Sequence, residues 1–237
     1  MSGHSRWSQV KHKKAIEDKK RSQIFSKLAN LISVAARKDS NPETNPKLKA
    51  AIEKAKEFNL PKENIERAIK RGAGQLEGET LEEVIYEIYG PGGIPILIKA
   101  ITSNKNRTLG EIKSILNKYQ AKLAQAGSVL YLFEEKSVFK ISKEGLPQGF
   151  LEELIEKGAL DWEEEKDSIT IYFPLKNFSE IKKFLEDKKI KILESSIDFV
   201  PKSHQEVSED LKVQLENLFE ALDDHPDVEE IYSTLKL

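Results

Sequence analysis

Lys11-His12-Lys13-Lys14 and Lys19-Lys20-Arg21 are the side chains whose type and spacing can do chemistry, and that chemistry is neutralisation of phosphate. Clustered Lys and Arg displace the counterions held on a nucleic-acid backbone, which gives an affinity that falls with salt and ignores sequence. Arg6 and Trp7 precede the clusters, and Trp7, His4 and His12 add rings that stack on bases or sugars. Arg37 and Lys38 extend the positive run. Within residues 1–38 ten basic side chains face two acidic ones, a net +8, whereas the whole chain carries −2. A solvated tail is the bland alternative. So steep a charge division within an otherwise acidic chain favours a polyanionic partner.

Signatures of catalysis are missing. The sequence holds no Gly-x-x-x-x-Gly-Lys-Ser/Thr, no His-Glu-x-x-His and no Gly-x-Ser-x-Gly. Gly72-x-Gly74 follows a helical pattern rather than a strand, so it is not a dinucleotide fingerprint. Zero cysteines exclude disulfides and thiolate metal sites and suit a cytoplasmic protein. Asp223-Asp224-His225-Pro226-Asp227 gathers carboxylates around a histidine, but its ligand spacing is poor, and a helix end with a turn explains it better. The expectation is a non-enzyme without metal or cofactor. No apolar run reaches the length of a membrane span, and the basic N-terminus lacks the apolar core of a secretory signal.

The elements that must carry the basic residues follow from periodicity. From Ser22, the residues Ile24, Phe25, Leu28, Leu31, Ile32, Ala35 and Ala36 repeat at helical spacing and must bury one stripe. Asn45-Pro46 opens a second helix with a cap residue and a proline in the first turn. A third helix runs from Pro61 to Arg71, with Gly72 as its expected left-handed terminator. The second and third helices loosely resemble a helix-turn-helix, with Asn59 suited to the left-handed turn position. In the third helix, Glu63 lies four residues before Arg67 and Glu66 four before Lys70. Such i,i+4 pairing engages those two cations and points to a plain bundle helix. Arg71 is left as the binding candidate.

Residues 72–80 hold three glycines and read as a hinge. The charge changes there: residues 1–72 carry 18 basic and 8 acidic side chains. Beyond the hinge, strands at Val84–Tyr89 and Ile94–Ile101 flank the loop Gly90-Pro91-Gly92-Gly93, a helix spans Asn106–Tyr119, and Ser128–Phe133 reads as a strand. Tyr89-Gly90-Pro91-Gly92-Gly93 could let backbone amides approach a phosphate, or be a tight hairpin connection that needs positive φ. Arg107 could touch phosphate or serve structure. Residues 138–200 then read β-α-β-β-α-β, the ferredoxin-like order. The helix Val207–Asp223 and strand Val228–Leu235 remain to complete the sheet begun at residue 84.

The predicted architecture is an α+β multidomain chain: an N-terminal three-helix bundle followed by two ferredoxin-like α+β domains, the third inserted in the second. The expected boundaries are 1–78, 79–134 with 206–237, and 135–205.

Several runs together resemble the YebC/PmpR family, which includes the mitochondrial translational activator of cytochrome c oxidase. They are Gly3-His4-Ser5-Arg6-Trp7, Lys11-His12-Lys13-Lys14, Asn64 through Gly72, Tyr89-Gly90-Pro91-Gly92-Gly93, Asn106-Arg107-Thr108, Gly127-Ser128-Val129 and Leu222-Asp223-Asp224-His225. The resemblance spans the chain and is densest in the first 110 residues. It departs at Tyr119-Gln120-Ala121-Lys122-Leu123-Ala124, where the family has a glycine-rich run. The resemblance implies a cytoplasmic DNA-binding transcriptional regulator; its alternative implication is a translation factor on ribosomal or messenger RNA. It also raises the standing of the Tyr89–Gly93 loop. The acidic domains would meet the ribosome or another protein.

Overall fold

In a computed structural model of the protein the described residues are 18–236, the first three by backbone alone. Helix α1, Asp18–Ala36, begins four residues before the first clear apolar repeat. Its stripe of Leu28, Ile32 and Ala36 packs against Leu48, Ala51 and Ala55 of α2, Pro46–Glu57, and against Ile65 and Ala68 of α3, Lys62–Gly72. Asn45 caps α2 by accepting from the Leu48 amide at 3.1 Å. Asn59, at φ 57°, closes α2: the Leu60 amide reaches back to the Ala55 carbonyl at 2.9 Å.

The glycine at the end of α3 does a different job from the one its position suggests. Gly72 stays helical, and the left-handed residue is Gly74, at φ 73°. The Gly74 and Gln75 amides return to the Arg71 and Lys70 carbonyls at 3.1 and 2.9 Å. Gly72 is where α3 crosses α1: a Cβ there would stand 2.1 Å from the Ser33 carbonyl oxygen.

Two four-stranded antiparallel sheets follow. The first has the order β3-β1-β2-β8, from β1 (Glu82–Tyr89), β2 (Pro95–Thr102), β3 (Lys122–Leu123) and β8 (Val228–Ser233). Helices α4, Lys105–Lys118, and α7, Glu209–Asp223, cover it through Ile112, Leu116, Leu215, Leu218, Phe219 and Leu222. The second has the order β5-β6-β4-β7, from β4 (Phe133–Ser142), β5 (Asp161–Glu164), β6 (Ser168–Pro174) and β7 (Ile192–Pro201). Helices α5, Phe150–Glu156, and α6, Phe178–Asp187, pack on it through Phe150, Leu154, Phe178 and Ile181. This second sheet has the ferredoxin-like β-α-β-β-α-β path. The first does not: its β1–β2 hairpin is followed by α4 and β3, and α7 and β8 arrive only after the second sheet is complete.

The segment read as a strand at 128–133 is instead a 3-10 turn, Leu130–Leu132, and Phe133 begins β4 in the other sheet. The reason lies forty residues away. The Glu87 carboxylate, buried on β1, accepts from the backbone amides of Gly127, Val129 and Leu130 at 2.5, 2.6 and 2.7 Å. A strand there would need those amides for a ladder. Desolvation opposes ionisation of Glu87, but the three amide bonds outweigh it and hold the carboxyl below its ordinary range. The edge place goes to Lys122–Leu123, paired with Tyr89 and Ile88. In this divergent stretch Gln120 takes the left-handed conformation, φ 57°, and Ala121 is buried.

Candidate nucleic-acid interface

Basic residues need an unpaired face to hold a polyanion, and α2 has lost its own. Lys54 is ion-paired with Glu230 of β8, Lys47 with Glu135 of β4 at 2.6 Å, and Glu53 with Lys182 of α6 at 2.8 Å. Desolvation pushes the Glu53 pKa up, but hydrogen bonds from Lys182 and Lys56 bring it below its ordinary value. Between the bundle and the two sheets lies a cavity of about 790 Å³, bordered by Lys47, Lys54, Glu135 and Glu230 and by Lys99, which pairs with Glu83 at 3.2 Å. Part of the acidic charge of the sheets is thus spent on the chain's own bundle.

The opposite face, between α1 and α3, is different. Ser22, Phe25, Ser26 and Ala29 on α1, and Asn64, Arg67, Ala68 and Arg71 on α3, recur at i, i+3, i+4 and i+7 and, with Arg21, line a groove of about 620 Å³. Leu76 and Glu77 complete its lining. The Arg21 guanidinium lies over the Phe25 ring, 5.3 Å from its centroid. Arg71, the candidate favoured by the sequence, turns into the bundle. Its Nε donates to Ser33 Oγ at 2.9 Å, and one terminal nitrogen donates to Asn30 Oδ1 at 2.9 Å and to the Ala29 carbonyl at 3.3 Å. Burial lowers its pKa from the usual arginine value. Arg67 and Lys70 are exposed, and among the described residues neither has an ion-pair partner. Glu66 meets Lys62, at 3.7 Å, rather than Lys70. Helical spacing permits i,i+4 pairs but does not oblige long exposed side chains to form them.

The remaining sequence candidates fall into three groups. Arg6, Trp7, Lys11, His12, Lys13 and Lys14 lie outside the described residues, and Lys19 and Lys20 stand in the first turn of α1. Lys38 is exposed at the end of the bundle, while Arg37 donates to the Leu81 carbonyl at 2.8 Å and ties α1 to the 73–81 segment. The third group is engaged within the first sheet. Tyr89 Oη donates to the Ser128 carbonyl at 3.0 Å. The amide of Gly90 bonds the Ile94 carbonyl and that of Gly93 the Gly90 carbonyl. Pro91 is buried, and Gly92, at φ 69°, sits where a Cβ would meet the Leu211 side chain at 2.4 Å. The Gly90 and Gly93 amides therefore close the hairpin connection itself, and the close approach at Gly92 serves the contact with α7.

Arg107 is bound from within as well: it donates to Asp227 Oδ2 at 2.8 Å, and Thr108 donates to the same oxygen at 2.6 Å. Desolvation opposes charge on Asp227, but the Thr108 and Arg107 contacts prevail and lower its pKa. Glu111, His225 and Asp227 bring their ligand atoms close together. His225 Nδ1 accepts from the Asp227 amide at 3.1 Å, so the proton resides on Nε2, which faces Glu111 Oε2 at 2.9 Å. The lone pair of that tautomer is on Nδ1, where the Asp227 amide already occupies it. These residues fasten the end of α7 to α4.

Comparison with known proteins agrees along the whole length. The TACO1/YebC N-terminal domain matches residues 5–75, and the TACO1/YebC second and third domain matches residues 81–235. A "Probable transcriptional regulatory protein" of Thermotoga petrophila is 46% identical over 100% of this chain and 94% of its own. A protein of the same name from Dictyoglomus thermophilum is 44% identical, covering 100% and 96%. A crystal structure of a conserved hypothetical protein from Aquifex aeolicus superposes with a TM-score of 0.83 at 40% identity, over 97% of this chain and 96% of that one. The chain belongs to the TACO1/YebC family.

Proposed function

We propose that the protein is a regulator of transcription in the cytoplasm that binds DNA through its N-terminal region, without catalysis. The observation that carries this reading is the division of charge within the bundle. Lys47 and Lys54 of α2 are neutralised by the chain's own sheets, while the groove bordered by Arg21 and Arg67 lies on the α1 helix that follows the Lys11–Lys14 and Lys19–Arg21 clusters in sequence. Phosphates gripped there release counterions, which gives sequence-independent affinity. The bundle through residue 78, the first sheet with its late-arriving α7 and β8, and the inserted 135–205 unit act as three domains. The sheets brace the bundle and offer an acidic surface to protein partners.

A second reading, RNA at the ribosome, is favoured by one feature: the α1–α3 groove has an aromatic ring beside its arginines, which suits unpaired bases better than a duplex. Electrophoretic mobility shift with duplex DNA, set beside co-sedimentation with ribosomes at moderate salt, tests both. Duplex retention that disappears with salt supports the first reading. Retention in ribosomal fractions without duplex binding replaces it by the second, and no association with either refutes both.

A further inference from the structure

The α1–α3 groove has more chemistry than phosphate neutralisation needs. Phe25, Ala29 and Ala68 give it an apolar surface, and Leu76, a large exposed apolar side chain, lines it as well. Arg21 and Arg67 border it, both exposed, and Ser22, Ser26 and Asn64 supply neutral hydrogen-bonding groups. A duplex presents only its charged rim to such a groove, since its bases are stacked inward. An unpaired nucleotide offers both halves of the match, an anionic phosphate and a flat apolar base. The wall is firm because Arg71 fixes α3 to α1 from beneath, through Ser33 and Asn30.

We propose that this groove binds an unpaired nucleotide of single-stranded nucleic acid, with its phosphate held by Arg21 and Arg67 and its base resting on Phe25 and Leu76. The proposal rests on the nucleic-acid reading above and narrows it: the arm supplies general affinity, and the groove supplies preference for unpaired strands. Unpaired stretches occur both in RNA and in opened DNA, and the two sources share this chemistry.

Fluorescence anisotropy on the full chain tests it with four probes: a short unstructured RNA, the DNA strand of the same sequence, the corresponding DNA duplex, and polyglutamate as a competitor. The variants are Arg67→Gln, which removes an exposed cation, and Phe25→Leu, which keeps apolar volume but removes the ring. A Lys11, Lys13 and Lys14→Gln variant tests the arm, and melting temperatures check folding. The expected result is a loss of about tenfold for single strands in each groove variant, with duplex affinity nearly unchanged for Phe25→Leu. The arm variant weakens all nucleic-acid probes together. Tighter binding of the RNA strand identifies RNA as the source, and tighter binding of the DNA strand identifies opened DNA. Groove variants that bind single strands as the wild type does, while the arm variant loses affinity, overturn the groove and leave the nucleic-acid reading standing. A wild-type chain that retains no nucleic-acid probe at low salt overturns both. Displacement by polyglutamate that shares the variants' sensitivity assigns the groove to an acidic peptide instead.

Discussion

Arg71 Nε donates to Ser33 Oγ at 2.9 Å, and that hydroxyl in turn donates to the Ala68 carbonyl at 2.9 Å, one turn back on Arg71's own helix. The arginine is a tie between α1 and α3. Replacing it with alanine removes the donors to Ser33, Asn30 and Ala29 and costs about 1.5–3 kcal/mol, read as a lower denaturation midpoint. Arg67→Ala, one turn away and exposed, leaves the midpoint within about 0.5 kcal/mol. Equal destabilisation by the two changes would contradict this division of roles.

Gly72→Ala is the sharpest packing test of the bundle. The added methyl would lie 2.1 Å from the Ser33 carbonyl oxygen, a backbone atom that cannot swing aside. Helices α1 and α3 must separate, at a cost of about 2 kcal/mol or more. Gly74→Ala acts otherwise, through φ alone, because its Cβ meets nothing within 4 Å. It costs about 1 kcal/mol. Thermal denaturation of both variants ranks them.

Glu87 makes the fold sensitive to acid. Its folded pKa lies below that of an unfolded glutamate, so the unfolded state takes up the proton first. The stabilisation is fully present above the unfolded value of about 4.3 and is lost as pH falls through the folded one. Glu87→Gln replaces an ionic acceptor of three amides by a neutral one, lowers stability at pH 7 by about 1–3 kcal/mol, and flattens that acid limb. Urea denaturation between pH 3 and pH 7, on the order of one pH step apart, measures it.

Glu229 has the opposite sign. A register shift between Lys99 and Ala100 leaves it as the extra residue of β8, so it has no partner on β2. Its Oε1 is buried without a hydrogen bond among the described residues. Burial pushes its pKa up to about 8, against the field of Lys27 on α1, Lys54 on α2 and Lys99 on β2 and with that of Glu230 beside it. The folded state holds the proton longer than the unfolded chain, so stability declines as pH rises from about 4.3 to about 8. Glu229→Gln removes the titration and stabilises the protein at pH 8 by about 1–2 kcal/mol. A variant with an unchanged slope of stability against pH would show that Glu229 ionises freely in the fold.

Much of this architecture could be read from local signals. The helix cap at Asn45, the left-handed Asn59 and the β-α-β-β-α-β order of residues 138–200 depend on neighbours within a few positions. The failures share a cause. Ser128–Phe133 has an apolar strand's composition, but Glu87, distant in sequence, claims its amides. Helical spacing assigned Arg67 to Glu63 and left Arg71 free, whereas the position of Ser33 on another helix reverses the two. The charge division was legible because it is a sum over residues. Which cations remain unpaired was not, because that depends on how α2 docks on the acidic sheets.

We propose that the basic N-terminal region grips phosphate. The most direct test is the salt dependence of nucleic-acid binding by the full chain, compared with a variant in which Lys11, Lys13, Lys14, Lys19, Lys20 and Arg21 are changed to Gln. Without those cations, affinity at low salt falls by orders of magnitude, and the slope of log affinity against log salt becomes shallower by as much as ~5. The same affinity and slope in both proteins would contradict the account.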